Sequence, residues 1–181
     1  MATACPVCGF NGTTVSPSDA SAALRSFPRR YRSLLLRPSN DEPDDPVVRR
    51  GRDGWSANDH ATYAVNAMDA DRQQVHRVLV HNDADVNPPP VDPPTPVRTD
   101  SASPEETVGR LTTVAEGLAD EVDGAKGDQW ARTGVTPGGA RLTALDIVRD
   151  AVHEGIHHLR AAEKVLQEVI GRPSPPEDDE D

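Results

Sequence analysis

The sequence predicts an all-α fold, a four-helix bundle with long inter-helix loops. Two observations carry this. Apolar residues recur three and four apart over four stretches, and period-two runs of Val, Ile and aromatics are almost absent. The length of 181 residues suits one domain of ordinary size, and 35% hydrophobic with 3% aromatic residues places part of the chain outside any core.

The first helix is read from Ser18, where Ala20, Ala23, Leu24, Phe27, Tyr31, Leu34 and Leu35 share a face. Pro28 removes an amide donor and predicts a kink. A charged loop from Asn40 to Gly54 follows. The second helix opens with Ser56 as N-cap and Asp59 three residues on. Its buried stripe is Ala57, His60, Ala64, Ala67, Met68, Asp71, Val75, Val78 and Leu79.

Asn87 to Pro96 holds six prolines in ten residues, a polyproline-like spacer. Ser103-Pro104-Glu105-Glu106 then supplies an N-cap, a proline at the first helical position and a glutamate that closes a capping box. Val108, Leu111, Ala115, Leu118 and Val122 form the stripe of this third helix, and Gly124 and Gly127 end it. After a loop with Trp130 and Pro137-Gly138-Gly139, Thr143 with Asp146 caps a long fourth helix running to Ile170. Its apolar side is Leu145, Val148, Val152, Ile156, Leu159, Leu166 and Val169. The chain thus divides into an N-terminal CxxC segment, 1–17, a helical bundle, 18–172, and a disordered acidic tail, 173–181, with no internal repeat.

The formal net charge is −11, and Glu177 to Asp181 contribute −5 of it, leaving −6 on the body. A mildly acidic body lacks the basic field that nucleic acids or anionic membranes require, so neither is an expected partner. No apolar run approaches the roughly 20 residues that cross a bilayer. Met1 to Phe10 also lacks the pattern of a secretory leader. The expectation is a soluble, cytoplasmic protein in a reducing compartment.

Bundles commonly place metal sites in the core from side chains on facing helices. The densest ionisable cluster is His153-Glu154-Gly155-Ile156-His157-His158, which contains two ligand-type pairs at i, i+4, His153/His157 and Glu154/His158. Spacing alone does not choose between them. A helical wheel puts His158 roughly 70° and Glu154 about 110° from the centre of the apolar face, with His153 and His157 roughly 150° and 170° away, on the solvent side. The same construction puts His60 about 45° from the centre of the second helix's stripe. The predicted ligand set is His60, Glu154 and His158, two imidazoles and one carboxylate with an open position, as in catalytic sites for zinc or other divalent ions.

Cys5-Pro6-Val7-Cys8-Gly9 resembles half of a zinc knuckle or a redox pair. No second CxxC exists, so a site completed by a histidine and dithiol chemistry both stay open. The leading expectation is two solvent-accessible thiols near a mobile terminus. Trp55 and Trp130 read as packing residues, and Arg29-Arg30-Tyr31-Arg32 as a solvated helix face.

The order Gly54-Trp55-Ser56-Ala57, Gln129-Trp130-Ala131-Arg132-Thr133-Gly134, Arg141-Leu142-Thr143, Asp146-Ile147-Val148-Arg149 and His153-Glu154-Gly155-Ile156-His157-His158-Leu159 resembles the DinB-like superfamily over most of Ser18 to Ile170. This superfamily includes the actinobacterial mycothiol-dependent maleylpyruvate isomerase and the YfiT-like proteins. The resemblance implies a four-helix bundle with a divalent metal, Zn or Ni, held by three side chains. It also implies a metal-dependent thiol S-transferase or isomerase that joins a low-molecular-weight thiol such as mycothiol to an electrophile. Homodimers are common in such bundles. The family's helix-two histidine usually sits eight residues after the tryptophan, where this chain has Tyr63; His60 sits at five. That departure keeps a second reading open: a non-catalytic stress-response or interaction protein with a degraded metal site.

Overall fold

A computed structural model describes residues 4–37, 45–90 and 102–171, and its framework is four long helices. They are α1 (Pro17–Leu35), α2 (Ala57–Val80), α3 (Pro104–Gly124) and α4 (Ala144–Ile170). Each begins with a reciprocal capping box: Ser16 with Asp19, Ser56 with Asp59, Ser103 with Glu106 and Thr143 with Asp146. In each, the hydroxyl accepts the N3 amide and the acid accepts the cap amide, so two otherwise orphaned donors are satisfied at every helix start. The first box begins two residues before the helix start read from the sequence. Pro17 occupies the first turn of α1, where its missing N–H costs nothing. Pro28 lies inside α1 without ending it.

The principal packing pairs are α2 with α4 and α1 with α3. Leu24, Phe27 and Tyr31 of α1, Met68 of α2, Leu111 and Leu118 of α3, and Ile147, Leu159 and Leu166 of α4 make the dry centre. Phe27 reaches α4 at Gly155, where a Cβ would stand 2.3 Å from its ring, and the Tyr31 hydroxyl donates to the Gly155 carbonyl at 2.9 Å. A glycine is needed there because the two helices meet at ring contact.

One element is absent from the helical reading. Three short strands, β1 (Ala84–Asp85), β2 (Thr133–Val135) and β3 (Arg141–Thr143), form a small sheet, with β1 parallel to β2 and β2–β3 antiparallel. It ties the segment after α2 to the start of α4. Runs of two and three residues carry too little periodicity to be read as strands.

The stripes predicted for α2 and α3 are all buried. On α4 the outcome differs: Leu145 and Ile156 are half-buried, while Glu154, His157 and His158 are buried. The helix has partners on two sides, the bundle on one and residues 4–15 on the other. A wheel centred on apolar side chains assumes a single buried face, and it therefore misplaces His157 on the solvent side. The part of the spacer from 91 to 96 and the acidic tail lie outside the described residues.

Candidate functional site

His60 enters from the first turns of α2, held by the Ser56 capping box and stacked on Trp55 at 4.7 Å with 16° between rings. His158 comes from the middle of α4. The two Nδ1 atoms are 3.1 Å apart, both rings being at least 93% buried. Glu154, one turn before His158, is 1% exposed and places Oε2 3.4 Å from His158 Nε2. The three residues predicted as ligands are therefore linked through His158. His60 meets one of its nitrogens and Glu154 the other. In this rotamer a cation shared by the two Nδ1 atoms would leave Glu154 beside the far nitrogen, where a carboxylate orients a ligating imidazole.

The donor chemistry suits a cation. Tetrahedral zinc with Zn–N of about 2.0–2.1 Å separates two nitrogens by about 3.3 Å, close to the separation found here. His60 Nε2 and Glu154 Oε2 are buried without a hydrogen-bond partner, with Asp53 and His158 the nearest opposite groups at 3.9 and 3.4 Å; an ion between the two Nδ1 atoms leaves both as they are. Burial, with the neighbouring His158 next, pushes His60 down to about 4, so its imidazole is neutral at pH 7, as a metal ligand must be.

Tyr63 lies eight residues after Trp55 on α2. Its ring lies 4.7 Å from that of His158, edge-on to Trp55, and its hydroxyl donates to the Pro90 carbonyl. It packs the site and is anchored away from it. A cavity of about 680 Å³ opens at His60, lined among others by Val7, Arg52, Asp53, His157, Arg160 and Lys164. Three basic residues line it with two acidic ones, Asp53 and Glu168, and Arg52 Nε lies 3.2 Å from Glu168, so Arg160 and Lys164 are the cations left to meet a small anion.

The second cluster lies on the other side of α4. Cys5, Cys8, His153 and His157 bring one ligand atom each within 4.8 Å of one another. Cys8 is 1% exposed and His157 3%, so the expected exposure of these two is corrected, while Cys5 and His153 are half-buried. The cause is that residues 4–15 fold back over α4. Phe10 stacks on His153 at 5.1 Å, the Arg160 guanidinium donates to the Cys8 carbonyl, and Arg149 Nε donates to the Val15 carbonyl at 3.0 Å. Burial alone would raise the Cys5 thiol, but the amides of Cys8 and Val7 and the His157 ring bring it down to about 7; burial raises Cys8. The signal is present in the sequence as C-x2-C and H-x3-H, two halves 144 residues apart.

The sequence pattern of the DinB superfamily matches residues 23–162. The chain belongs to the DinB superfamily. Among solved structures it is similar to YfiT from Bacillus subtilis, described as "a probable metal-dependent hydrolase with an unusual four-helix bundle topology". The TM-score is 0.69 at 13% identity, covering 85% of this chain and 89% of that one. At that identity the likeness is one of fold, and it establishes the DinB-type four-helix bundle. A comparison with curated protein sequences finds no match. Among the described residues, no helix is long and apolar enough to cross a membrane.

Proposed function

We propose that this DinB-superfamily bundle is a divalent-metal enzyme whose ion, Zn or Ni, is held by His60 and His158 with Glu154 against the latter. Its activity in this reading is S-transfer from a low-molecular-weight thiol such as mycothiol to a small electrophile. The observation that carries the reading is the pair of buried Nδ1 atoms 3.1 Å apart, contributed by two helices. An ion at that point supplies Lewis acidity, which lowers the pKa of a bound thiol or water toward neutrality.

The chain's own groups do the rest. His60 stays neutral through burial and presents a lone pair at physiological pH. Trp55 holds the His60 imidazole plane by stacking, and the Tyr63 ring packs against His158 at a tilt of 52°. Arg160 and Lys164 around the cavity hold a carboxylate or similar anion on the substrate, next to His60.

One observation favours a second reading. Tyr63, where the family resemblance implies a histidine, is tied to Pro90, which fits a bundle that keeps its shape as a non-catalytic stress-response or interaction protein.

The test is metal analysis of tag-free, full-length protein together with an assay over a panel of thiols and electrophiles, and over esters and amides. The expected result is metal that falls by one equivalent in both His60→Ala and His158→Ala, with thiol conjugation lost in parallel. Metal content indifferent to both substitutions would overturn the reading. Ester or amide cleavage without thiol conjugation would keep the metal site and replace the reaction by hydrolysis.

A further inference from the structure

Among the described residues outside the proposed catalytic pair, four metal-ligating side chains gather on the outer side of α4. We infer that Cys5, Cys8, His153 and His157 form a second, structural zinc site that clamps the N-terminal segment onto α4.

In Cys5-Pro6-Val7-Cys8-Gly9 the chain turns sharply. The Gly9 amide donates to the Cys5 carbonyl at 2.7 Å, the Cys5 amide donates to the Phe10 carbonyl at 2.8 Å, and Gly9 takes φ +72°, which a side chain would disfavour. This turn aims backbone amides at sulfur. The amides of Val7 and Cys8 lie on the side of Cys5 Sγ and that of Phe10 on the side of Cys8 Sγ. A nearby amide favours the thiolate, the form that binds metal; at Cys8 burial opposes it, so the case for the site rests on the placement of the four ligand atoms.

The facing half comes from α4. His153 and His157 stand one turn apart on the same face, directly beneath the turn. Cys5 Sγ lies 3.6 Å from His157 Nδ1. Tetrahedral zinc with Zn–S of about 2.3 Å and Zn–N of about 2.0–2.1 Å places sulfur and nitrogen about 3.6 Å apart, and two sulfurs about 3.8 Å apart. All four ligand atoms fall within 4.8 Å of one another, so the set needs only small side-chain adjustment to close on one ion. Two thiolates with two imidazoles leave no open position, which marks a structural rather than a catalytic site. On binding, each thiol releases its proton to solvent and no redox partner is needed.

The site is separate from the one between α2 and α4. It shares no ligand with His60, Glu154 or His158, and a turn of roughly 100° about α4 separates His157 from His158. The clamp nonetheless bears on the cavity, since Val7 of the turn and His157 both line it beside His60. Fixing residues 5–10 fixes one cavity wall.

The experiment uses tag-free, full-length protein loaded with Co²⁺ as a spectroscopic stand-in for zinc, in parallel with zinc analysis of the protein as purified. The expected spectrum has thiolate-to-cobalt charge-transfer bands and intense visible bands of tetrahedral cobalt. Both disappear in Cys5→Ser/Cys8→Ser and persist in His60→Ala, while zinc falls by one equivalent in the double variant. Should the double variant fail to fold, titration of the wild-type chain with an organomercurial reads the same quantity, releasing one zinc per two thiols. The inference is overturned by absence of the charge-transfer bands, by unchanged zinc in the double variant or after mercurial, or by a Cys5–Cys8 disulfide in zinc-free protein. Loss of metal in His60→Ala alone would support the inner site and overturn this one, so the two assignments fail independently.

Discussion

On α4, Glu154 and His158 look toward His60 of α2, while His153 and His157, one residue earlier in each pair, sit beneath residues 4–15. One step of about 100° separates a donor set made entirely within the bundle from one that needs a distant segment to complete it. The inner set is assembled by helix packing and owes its geometry to the core. The outer set has two ligands on a rigid helix and two on a short turn, so its geometry rests on how firmly that turn is held. Burial of a helical residue therefore reports every partner of the helix, and α4 has partners on both sides.

The boundary between the two regions is where the comparison breaks most easily. Gly155→Ala drives a methyl into the Phe27 ring. The expected loss is about 3 kcal/mol, as for overpacking of a tight core. In a domain of this size that lowers Tm by roughly 6–12 °C in a thermal melt. Metal should become labile to chelator on both sides of α4.

Next in size, His158→Ala removes a buried ring from among Trp55, Tyr63 and His60. It should cost about 2 kcal/mol by denaturant titration, with the zinc bound through cysteine retained. Equal loss from both clusters would dissolve the distinction between them.

A third prediction concerns a carboxyl that belongs to neither cluster. Asp71 is fully buried on α2, and burial, with Asp150 and Glu154 next, pushes it up to about 9. The folded state therefore holds a proton that the unfolded chain releases near pH 4. Stability from this group is present below that pH and is lost as pH rises toward 9. In chelated protein, Asp71→Asn should flatten the decline between pH 5 and pH 8, its advantage growing by on the order of 1 kcal/mol per pH unit across that window. A Tm series over pH checks it, and parallel profiles for the two proteins would refute it.

The smallest effect is expected for Arg160→Gln, which removes the guanidinium donor from the Cys8 carbonyl. About 1 kcal/mol or less of global stability is at stake. Amide hydrogen exchange over residues 5–10 should nevertheless accelerate, while that of the α2 core stays unchanged. Uniform protection in both regions would show that the turn does not depend on this contact.

Much of the bundle is legible in the amino-acid sequence, because its signals are local. Ser56, Ser103 and Thr143 each precede an acid by three residues, and the stripes of α2 and α3 follow a single buried face. The proximity of His60 to His158 is accessible for the same reason, since each lies near the core side of an amphipathic helix. The position of Cys5 and Cys8 is not. Their partners are more than 140 residues away, and no periodicity links a turn at one end of the chain to a helix at the other. The small sheet escapes because its pairing depends on contacts such as Gly134 against Val86, where a Cβ would lie 2.4 Å from a methyl. The role of Tyr63 is hidden too, as its ring and hydroxyl answer to two different neighbours, His158 and Pro90.

The chemical make-up of the outer cluster has an electrostatic corollary. Two thiolates balance a dication completely, so a zinc ion there projects little long-range field through α4. A charge-neutral clasp can sit against the cavity without competing for an anion drawn to Arg160 and Lys164. The positive potential a small molecule meets on entering then comes from Arg160 and Lys164 and from any ion held at His60 and His158.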